Sequence, residues 1–229
     1  MIPPEINYKN FSLKKINSPQ FRHLKLLFFW PIYGMAFSFV ERGYTVDSYF
    51  VVHCPIDDVI PFCEWFFIPY LFWFVFIIGT LLYTLLFDVD SFKSMMKYII
   101  FTYTVTIIIY LLFPTCQELR PSKLDGSRFL IRNLLRFYSF DTNTNVCPSI
   151  HVIGSFAVFF TLCKCKHTIE KPIFKAAMFF ITVLICVSTL FIKQQSLIDI
   201  AAAMPLCILG YLLFFKKTFK PNIKKTAVL

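Results

Sequence analysis

The sequence predicts an all-α integral membrane protein, a bundle of six transmembrane helices in a single domain spanning residues 1–229. Hydrophobic residues make up 57% of the chain, only 16% of the residues are charged, and the mean hydropathy is +0.65. Soluble domains are roughly 45–50% apolar and about 25% charged. A soluble fold of this size cannot bury so much apolar surface, and a disordered chain requires low hydrophobicity, so both classes are excluded.

Six apolar stretches have roughly the length that crosses a hydrocarbon core of about 30 Å. Their continuity favours helices over barrel strands, because barrel strands alternate apolar and polar residues. The fourth stretch is the shortest and begins with Ser149 and His151, so we expect its outer end to lie in a water-filled cavity. The predicted spans are about 24–40, 65–87, 98–113, 149–163, 174–192 and 198–215.

The distribution of charge predicts the orientation of these spans. With a cytoplasmic N-terminus, sixteen of the 23 lysines and arginines fall in inner segments, with only four of the 13 acidic residues. The positive-inside rule then places both termini in the cytoplasm, with the chain in the cell membrane. The same distribution argues against nucleic acid as a partner, because the basic residues flank helix ends, where anionic lipids attract them.

The longest outer loop, about 114–148, is polar and rich in arginine. Within it, an amphipathic segment is predicted at about 127–139, with Arg128, Arg132 and Arg136 opposite an apolar face. Two interpretations stay open. The segment is either a helix on the membrane surface, with its arginines among headgroup phosphates, or a lid through which an anionic lipid enters.

Four of the eight cysteines, Cys54, Cys63, Cys116 and Cys147, fall on the outer side, where an oxidising environment would allow disulfides. Their pairing cannot be deduced from spacing. The inner C-x-C pair at 163–165 weakly resembles a metal pair, but small buried residues at helix ends are the commoner explanation.

Ionisable and hydrogen-bonding residues gather in three outer segments, 113–121, 147–151 and 188–199. The predicted topology brings all three to the same membrane face. Convergence of this kind is needed for a site, although any six-span protein shows some of it. Whether these segments form a site therefore depends on their residue types.

These residue types together predict a phosphate pocket with a proton donor. Arg120 and Lys193 are fixed positive charges suited to an anionic group. Ser149 begins a helix, whose free N–H groups favour anions, and His151 can exchange a proton near neutral pH. Asp199 adds a carboxylate on the same helical face as the residue four positions earlier. Each residue alone also has an ordinary structural explanation.

The three segments resemble the motifs of the type 2 phosphatidic acid phosphatase (PAP2) superfamily, and more narrowly its bacterial branch related to inositol phosphotransferases. One family motif ends in Arg-Pro, another is Pro-Ser-x-His, and the third has a Ser, a His and an Asp at fixed spacing. Motif order, spacing and membrane side agree over about 110–205. The matching residues are Arg120-Pro121, Pro148-Ser149-Ile150-His151, and Ser188 with Asp199.

The resemblance implies a phosphohistidine mechanism at the outer leaflet. In the family, a His at the position of Gln195 attacks phosphorus, and the carboxylate matching Asp199 orients it. The His of the second motif, here His151, protonates the leaving alkoxide. The residues implied to hold the phosphoryl oxygens are Arg120, Lys193, Ser149 and Ser188.

The chain departs from the family at three positions. Phe113 replaces a Lys of the wider superfamily, and Thr189 replaces an Arg whose charge Lys193 supplies in the narrower branch. Gln195 replaces the nucleophile, and the delocalised lone pair of an amide nitrogen cannot attack. Loss of a nucleophile removes almost all turnover, about 10⁶-fold in a well-studied triad. We expect no rescue by His53, the other outer histidine.

The sequence therefore predicts a lipid phosphate phosphatase or phosphotransferase scaffold, inactive or severely impaired because of Gln195, and whether the chain is an enzyme stays open. The alternative is a non-catalytic membrane protein that binds lipid phosphates. A transporter is disfavoured, because the spans carry no midplane charges. The expected partners are membrane lipids and a lipid phosphate or polyprenyl (di)phosphate. No cofactor or metal is expected, since the fixed cations neutralise the phosphate.

Overall fold

The computed structural model describes residues 3–44, 46–168 and 170–216 and consists mainly of α-helices. Short 3-10 turns Arg22–Phe28 and Glu64–Phe66 lead into the first and third helices. The helices are α1 Phe29–Arg42, α2 Pro55–Val59, α3 Phe67–Phe87, α4 Val89–Leu112, α5 Phe129–Phe140, α6 Ile150–Lys164, α7 Pro172–Phe191 and α8 Leu197–Phe214, and the two short strands are β1 Phe50–Val51 and β2 Thr115–Cys116.

Among the described residues, five helical segments are long and apolar enough to cross a membrane, as expected for an all-α membrane protein. The remaining predicted span corresponds to α6, which is apolar but has only 15 residues. At about 1.5 Å per residue it is roughly 22 Å long, shorter than the hydrocarbon core. The five long segments are Arg22–Arg42, Glu64–Phe87, Val89–Leu112, Pro172–Phe191 and Leu197–Phe214.

The short helix α6 lies at the centre of the bundle and packs against α3, α4, α7 and α8. Most of its side chains are buried. The contact is close at Gly154, where a Cβ atom would lie 2.6 Å from the Tyr103 hydroxyl and 2.9 Å from a ring carbon of Trp73. Because protein surrounds α6, it needs neither the length nor the uniform hydrophobicity of a lipid-facing span.

Helix α4 begins nine residues before the span predicted from hydropathy, at Val89. Asp88 caps it by accepting a hydrogen bond from the backbone N–H of Ser91 at 3.2 Å. The first turns mix polar residues with apolar ones such as Phe92 and Met95, which are fully buried. The polar residues lower the local hydropathy and hide the helix start from a sequence-based prediction.

The N-terminal segment, the α3–α4 turn and the α6–α7 turn meet at one end of the bundle. Lys166 donates from its backbone N–H to Asp88 and from Nζ to Glu5, both at 2.9 Å. Glu5 also accepts from the backbone N–H of Val89 at 2.9 Å. These contacts place the start of the chain at the end opposite the three motif segments.

The connections at the motif end are longer and pack on one another. Strands β1 and β2 form a short parallel pair, which joins the α1–α3 connection to the loop after α4. Helix α5 buries Ile131 and Leu134 and exposes Arg132 and Arg136, while Arg128, just before it, forms an ion pair with Glu64 at 2.5 Å. The apolar face of α5 therefore packs on protein.

Gly154→Ala should destabilise the bundle. The added methyl group would lie within 3.0 Å of Tyr103, Ile77 and Trp73, and overpacking of this kind costs about 1–3 kcal/mol. Gly79→Ala is the matched control, because nothing lies within 4 Å of its Cβ position. Thermal unfolding in detergent should give a lower Tm for Gly154→Ala alone. Equal Tm values for the two variants would contradict the close enclosure of α6.

Candidate functional site

Direct hydrogen bonds join the three predicted motif segments. The Nη2 of Arg120 donates to Gln194 Oε1 at 2.7 Å, which links the loop after α4 to the α7–α8 turn. The hydroxyl of Ser149 donates to Gln195 Oε1 at 2.6 Å, and its backbone N–H donates to the carbonyl of Asp199 at 3.1 Å. The start of α6 is therefore fixed against the same turn.

Arg120 also holds the end of α5. Its Nη1 donates to the carbonyl of Tyr138 at 3.2 Å, its Nη2 donates to the carbonyl of Asp141 at 2.7 Å, and its guanidinium carbon lies 4.1 Å from the centroid of the Tyr138 ring. Burial lowers the pKa of Arg120 and raises the pKa of Tyr138 to about 12. The Nε of Arg120 is buried and has no partner among the described residues.

Ser149 has two structural roles at the start of α6. Its Oγ accepts a hydrogen bond from the backbone N–H of Val152 at 3.2 Å, as an N-cap residue does, while it donates to Gln195. The side chain of Gln195 uses only its Oε1 in hydrogen bonds with described residues. Its amide nitrogen, two potential donors, is left for another group.

His151, in the first turn of α6, lies between two aromatic rings. Its ring centroid is 4.5 Å from that of Tyr70 and 4.4 Å from that of Trp73, and only 4% of the residue is exposed. Neither ring nitrogen has a hydrogen-bond partner in the described part of the chain. Since buried polar atoms are nearly always paired, both nitrogens are candidates to bind a ligand.

A polar cavity of about 20 Å³, room for about one water molecule, lies beside His151. Its walls come from α1, α4, the segment before α6 and the α7–α8 turn. The sequence did not predict Glu41, Asp141 or Asn145 as part of a site, although a carboxylate in the last turn of an apolar helix such as α1 is a usable signal. The polar cavity is lined by Phe37, Glu41, Tyr110, Asp141, Thr142, Thr144, Asn145, Val146, Ile150, His151, Gln194 and Gln195.

An apolar groove of about 620 Å³ adjoins this cavity. Its walls are formed largely by aromatic and aliphatic side chains of α1, α3 and α5, including Tyr33, Ile77 and Phe137. The groove and the polar cavity share four lining residues, Phe37, Asp141, Ile150 and His151. The site is therefore a long apolar space that ends in a small polar one.

His151 and Gln195 line the polar cavity, and the other predicted site residues do not; these are Arg120, Ser149, Lys193, Ser188 and Asp199. Lys193 has a left-handed backbone conformation (φ 56°), and its Nζ donates to the carbonyls of Asp57 at 2.6 Å and Ile60 at 2.5 Å. The Ser188 hydroxyl donates to the carbonyl of Ile185 within α7, at 2.6 Å. One carboxylate oxygen of Asp199 accepts from the backbone N–H of Ser196 at 2.8 Å, while the other is buried without a partner among the described residues.

Asp57, in the short helix α2, anchors the α7–α8 turn and was not predicted. Its carboxylate accepts from the Ser196 hydroxyl at 2.6 Å and from the backbone N–H groups of Leu197 at 2.9 Å and Cys54 at 2.8 Å. Burial alone would raise the pKa of Asp57, but these hydrogen bonds outweigh it and leave the pKa lowered. Together with Lys193, Asp57 fixes the turn that carries Gln194 and Gln195.

No known protein family, curated protein or solved structure matches the chain. Among the described residues, no group of three or more His, Cys, Asp and Glu side chains could hold a metal ion. All eight cysteines lie in the described ranges and are free there. His53 lies outside both cavities and bonds through Nε2 to Asp58 at 2.9 Å.

Asp57→Asn should destabilise the protein by about 1.5–3 kcal/mol, the usual contribution of hydrogen bonds to a charged group. Because the folded pKa is lowered, this contribution is present above the ordinary carboxyl pKa of 3.8 and is lost as the pH falls through the folded value. The unfolding Tm of Asp57→Asn should therefore lie below that of the unmodified chain at pH 7, and the difference should shrink at pH 3. Asp58→Asn, which changes an exposed carboxylate, is the control. A pH-independent difference would contradict the role of the Asp57 charge.

Proposed function

We propose that this chain is a membrane-embedded lipid phosphate phosphatase or phosphotransferase scaffold of the type 2 phosphatidic acid phosphatase kind, which binds a lipid phosphate but turns it over poorly or not at all. The motif end of the bundle faces the extracytoplasmic side of the cell membrane, and the lipid enters from the outer leaflet. One observation carries the proposal: hydrogen bonds join the three motif segments, and two of these segments, 147–151 and 188–199, line a polar cavity that adjoins an apolar groove at His151.

The convergence supports the proposal because the segments are distant in sequence. Arg120 and Gln194 are 74 residues apart, and Ser149 and Gln195 are 46 residues apart, yet both pairs are in direct hydrogen-bond contact. A family resemblance that rests on short motifs requires this proximity. Chance matches in three loops would not have to share hydrogen bonds.

The shape of the site supports a ligand with an apolar chain and a polar head. The groove volume of about 620 Å³ lies within the usual range for small-molecule sites, about 300–1,000 Å³. Two donor groups without partners among the described residues belong to side chains that line the polar cavity, and both are suited to phosphate oxygens. They are a ring nitrogen of His151 and the amide nitrogen of Gln195.

The loss of turnover follows from Gln195. His151 is the one imidazole among the described residues that line the cavity or the groove, and the resemblance makes it the proton donor. No second imidazole lines these spaces in the described ranges to attack phosphorus. Phosphate would therefore be bound without forming a phosphohistidine.

A non-catalytic lipid-binding protein is the second candidate, and the position of Lys193 favours it. In the family-based hypothesis Lys193 neutralises the phosphate, but its ammonium group is held by two backbone carbonyls of the 57–60 segment. The polar cavity also carries the carboxylates of Glu41 and Asp141. A site with fewer available cations stabilises the transition state of phosphoryl transfer less well.

Gln195→His should create phosphatase activity. The added imidazole would supply the missing nucleophile beside Ser149, and the unpartnered oxygen of Asp199 could accept its N–H. Phosphate release from phosphatidic acid by the purified full chain in detergent measures this. We expect no release from the unmodified chain and measurable release from Gln195→His. Adding His151→Ala should reduce the new activity by about 10²–10⁴-fold, the usual contribution of a general acid.

The matched control is Gln194→His, which places an imidazole one residue away in the same turn and should stay inactive. Binding of labelled phosphatidic acid is measured in parallel for every variant. Binding without activity in Gln195→His, also on a polyprenyl diphosphate and with inositol as acceptor, would reject the enzyme scaffold and favour the second candidate. Absence of both binding and activity would reject both.

A further inference from the structure

The polar cavity contains two carboxylates without an ion-pair partner. Glu41 accepts a hydrogen bond from the hydroxyl of Thr142, and Asp141 accepts one from the hydroxyl of Tyr70. Neither carboxylate forms an ion pair with a described residue. Arg120 donates to the backbone carbonyl of Asp141 and attracts its carboxylate through space, without a direct ion pair. A carboxylate away from water is costly unless it is protonated or paired, and burial raises the pKa of Asp141. A cation that enters the cavity would stabilise the charged form.

The same cavity contains a buried acceptor without a donor. Asn145 is 5% exposed, and its Nδ2 lies 3.4 Å from the carbonyl oxygen of Val40 and 3.4 Å from Glu41 Oε1. These two oxygens fix the amide orientation, so Oδ1 is its free acceptor, and Oδ1 has no partner among the described residues. The backbone of Asn145 is left-handed (φ 51°) and is held by a 2.5 Å hydrogen bond from its N–H to the carbonyl of Thr115. Asn145, which lines the polar cavity, therefore has a fixed backbone and an unpaired acceptor.

We infer that the polar cavity binds the primary ammonium group of a phospholipid headgroup while the apolar groove takes an acyl chain of the same lipid. A primary ammonium carries one positive charge and three N–H donors. The acceptors that face it are the free oxygen of Asn145 and the carboxylates of Glu41 and Asp141. The phosphate lies between chain and amine, near the donors of His151 and Gln195.

The size of the cavity selects among cationic headgroups. About 20 Å³ admits a group of about the size of one water molecule, which an ammonium matches. A trimethylammonium group is several times larger and has no N–H to donate. The inference rests on the proposed lipid phosphate binding and adds a preference for phosphodiester lipids that end in a primary amine. The adjoining groove argues for a lipid and against a free inorganic cation, which would leave the apolar walls uncovered.

Phospholipids that differ only in N-methylation test the inference. Phosphatidylethanolamine, its mono- and dimethylated forms and phosphatidylcholine share the phosphate and the acyl chains, and they lose N–H donors while gaining volume. Their affinities for the purified full chain are measured by competition with one fluorescent lipid, together with phosphatidic acid. We expect affinity to fall with each methyl group, by about tenfold or more over the series, as hydrogen bonds to charged groups imply.

Glu41→Gln tests the charge with little change in shape. It should abolish most of the preference for phosphatidylethanolamine over phosphatidylcholine. Glu118→Gln, which alters an exposed carboxylate in the loop after α4, is the matched control and should keep the preference. The Tm of both variants is measured first and should equal that of the unmodified chain. The methylation series is run on the unmodified chain, so it does not depend on the folding of any variant.

The outcomes separate the two proposals. Equal affinity across the methylation series, or an unchanged preference in a folded Glu41→Gln variant, overturns the ammonium site, while binding of these lipids still supports lipid phosphate binding. Tighter binding of phosphatidic acid than of phosphatidylethanolamine also overturns the ammonium site. If no phosphate-bearing lipid competes, lipid phosphate binding itself fails, and the inference fails with it.

Discussion

The enclosure of α6 by four helices is the constraint on which the rest of the structure depends. Gly154 allows Tyr103 and Trp73 to approach the backbone of α6 to distances that a side chain would block. With protein on all sides, the first turn of α6 can carry Ser149 and His151 inside the bundle. On a lipid-facing helix these groups would be exposed to hydrocarbon, at a cost of several kcal/mol. The polar site therefore exists because α6 is central.

The two cationic side chains of the motif segments, Arg120 and Lys193, bind backbone carbonyls and do not line the polar cavity. Arg120 binds the end of α5, and Lys193 binds the 57–60 segment. The order and spacing of the motifs identified the segments that meet. They could not predict the direction of a side chain such as that of Lys193, because it depends on a left-handed backbone and on carbonyls distant in the sequence. Glu41 and Asn145 were missed for a related reason: Glu41 resembles an ordinary residue at a helix end, and Asn145 an ordinary loop residue, until the fold brings them together.

The helices themselves could largely be predicted from the sequence, since each span facing lipid must be continuously apolar. The start of α4 was missed, because Asp88 and the polar first turns lie against protein at the end of the bundle, where hydropathy is no guide. Helix α5 could be predicted from its regularly spaced arginines, but its docking could not. That docking depends on burial of Leu134 and on the hydrogen bond from Tyr138 to Ile192, contacts between residues distant in the chain.

The aromatic lining of the groove has a spectroscopic consequence. The chain has 3 tryptophans, and two of them, Trp30 and Trp73, line the groove. The third, Trp65, is 62% exposed on the outside of the bundle and lines neither cavity. Indole emission responds to the polarity of its surroundings and to neighbouring quenchers, and Trp73 is in ring contact with His151. Occupancy of the groove is thus coupled to the intrinsic fluorescence of the protein, with Trp65 reporting on the surrounding lipid or detergent.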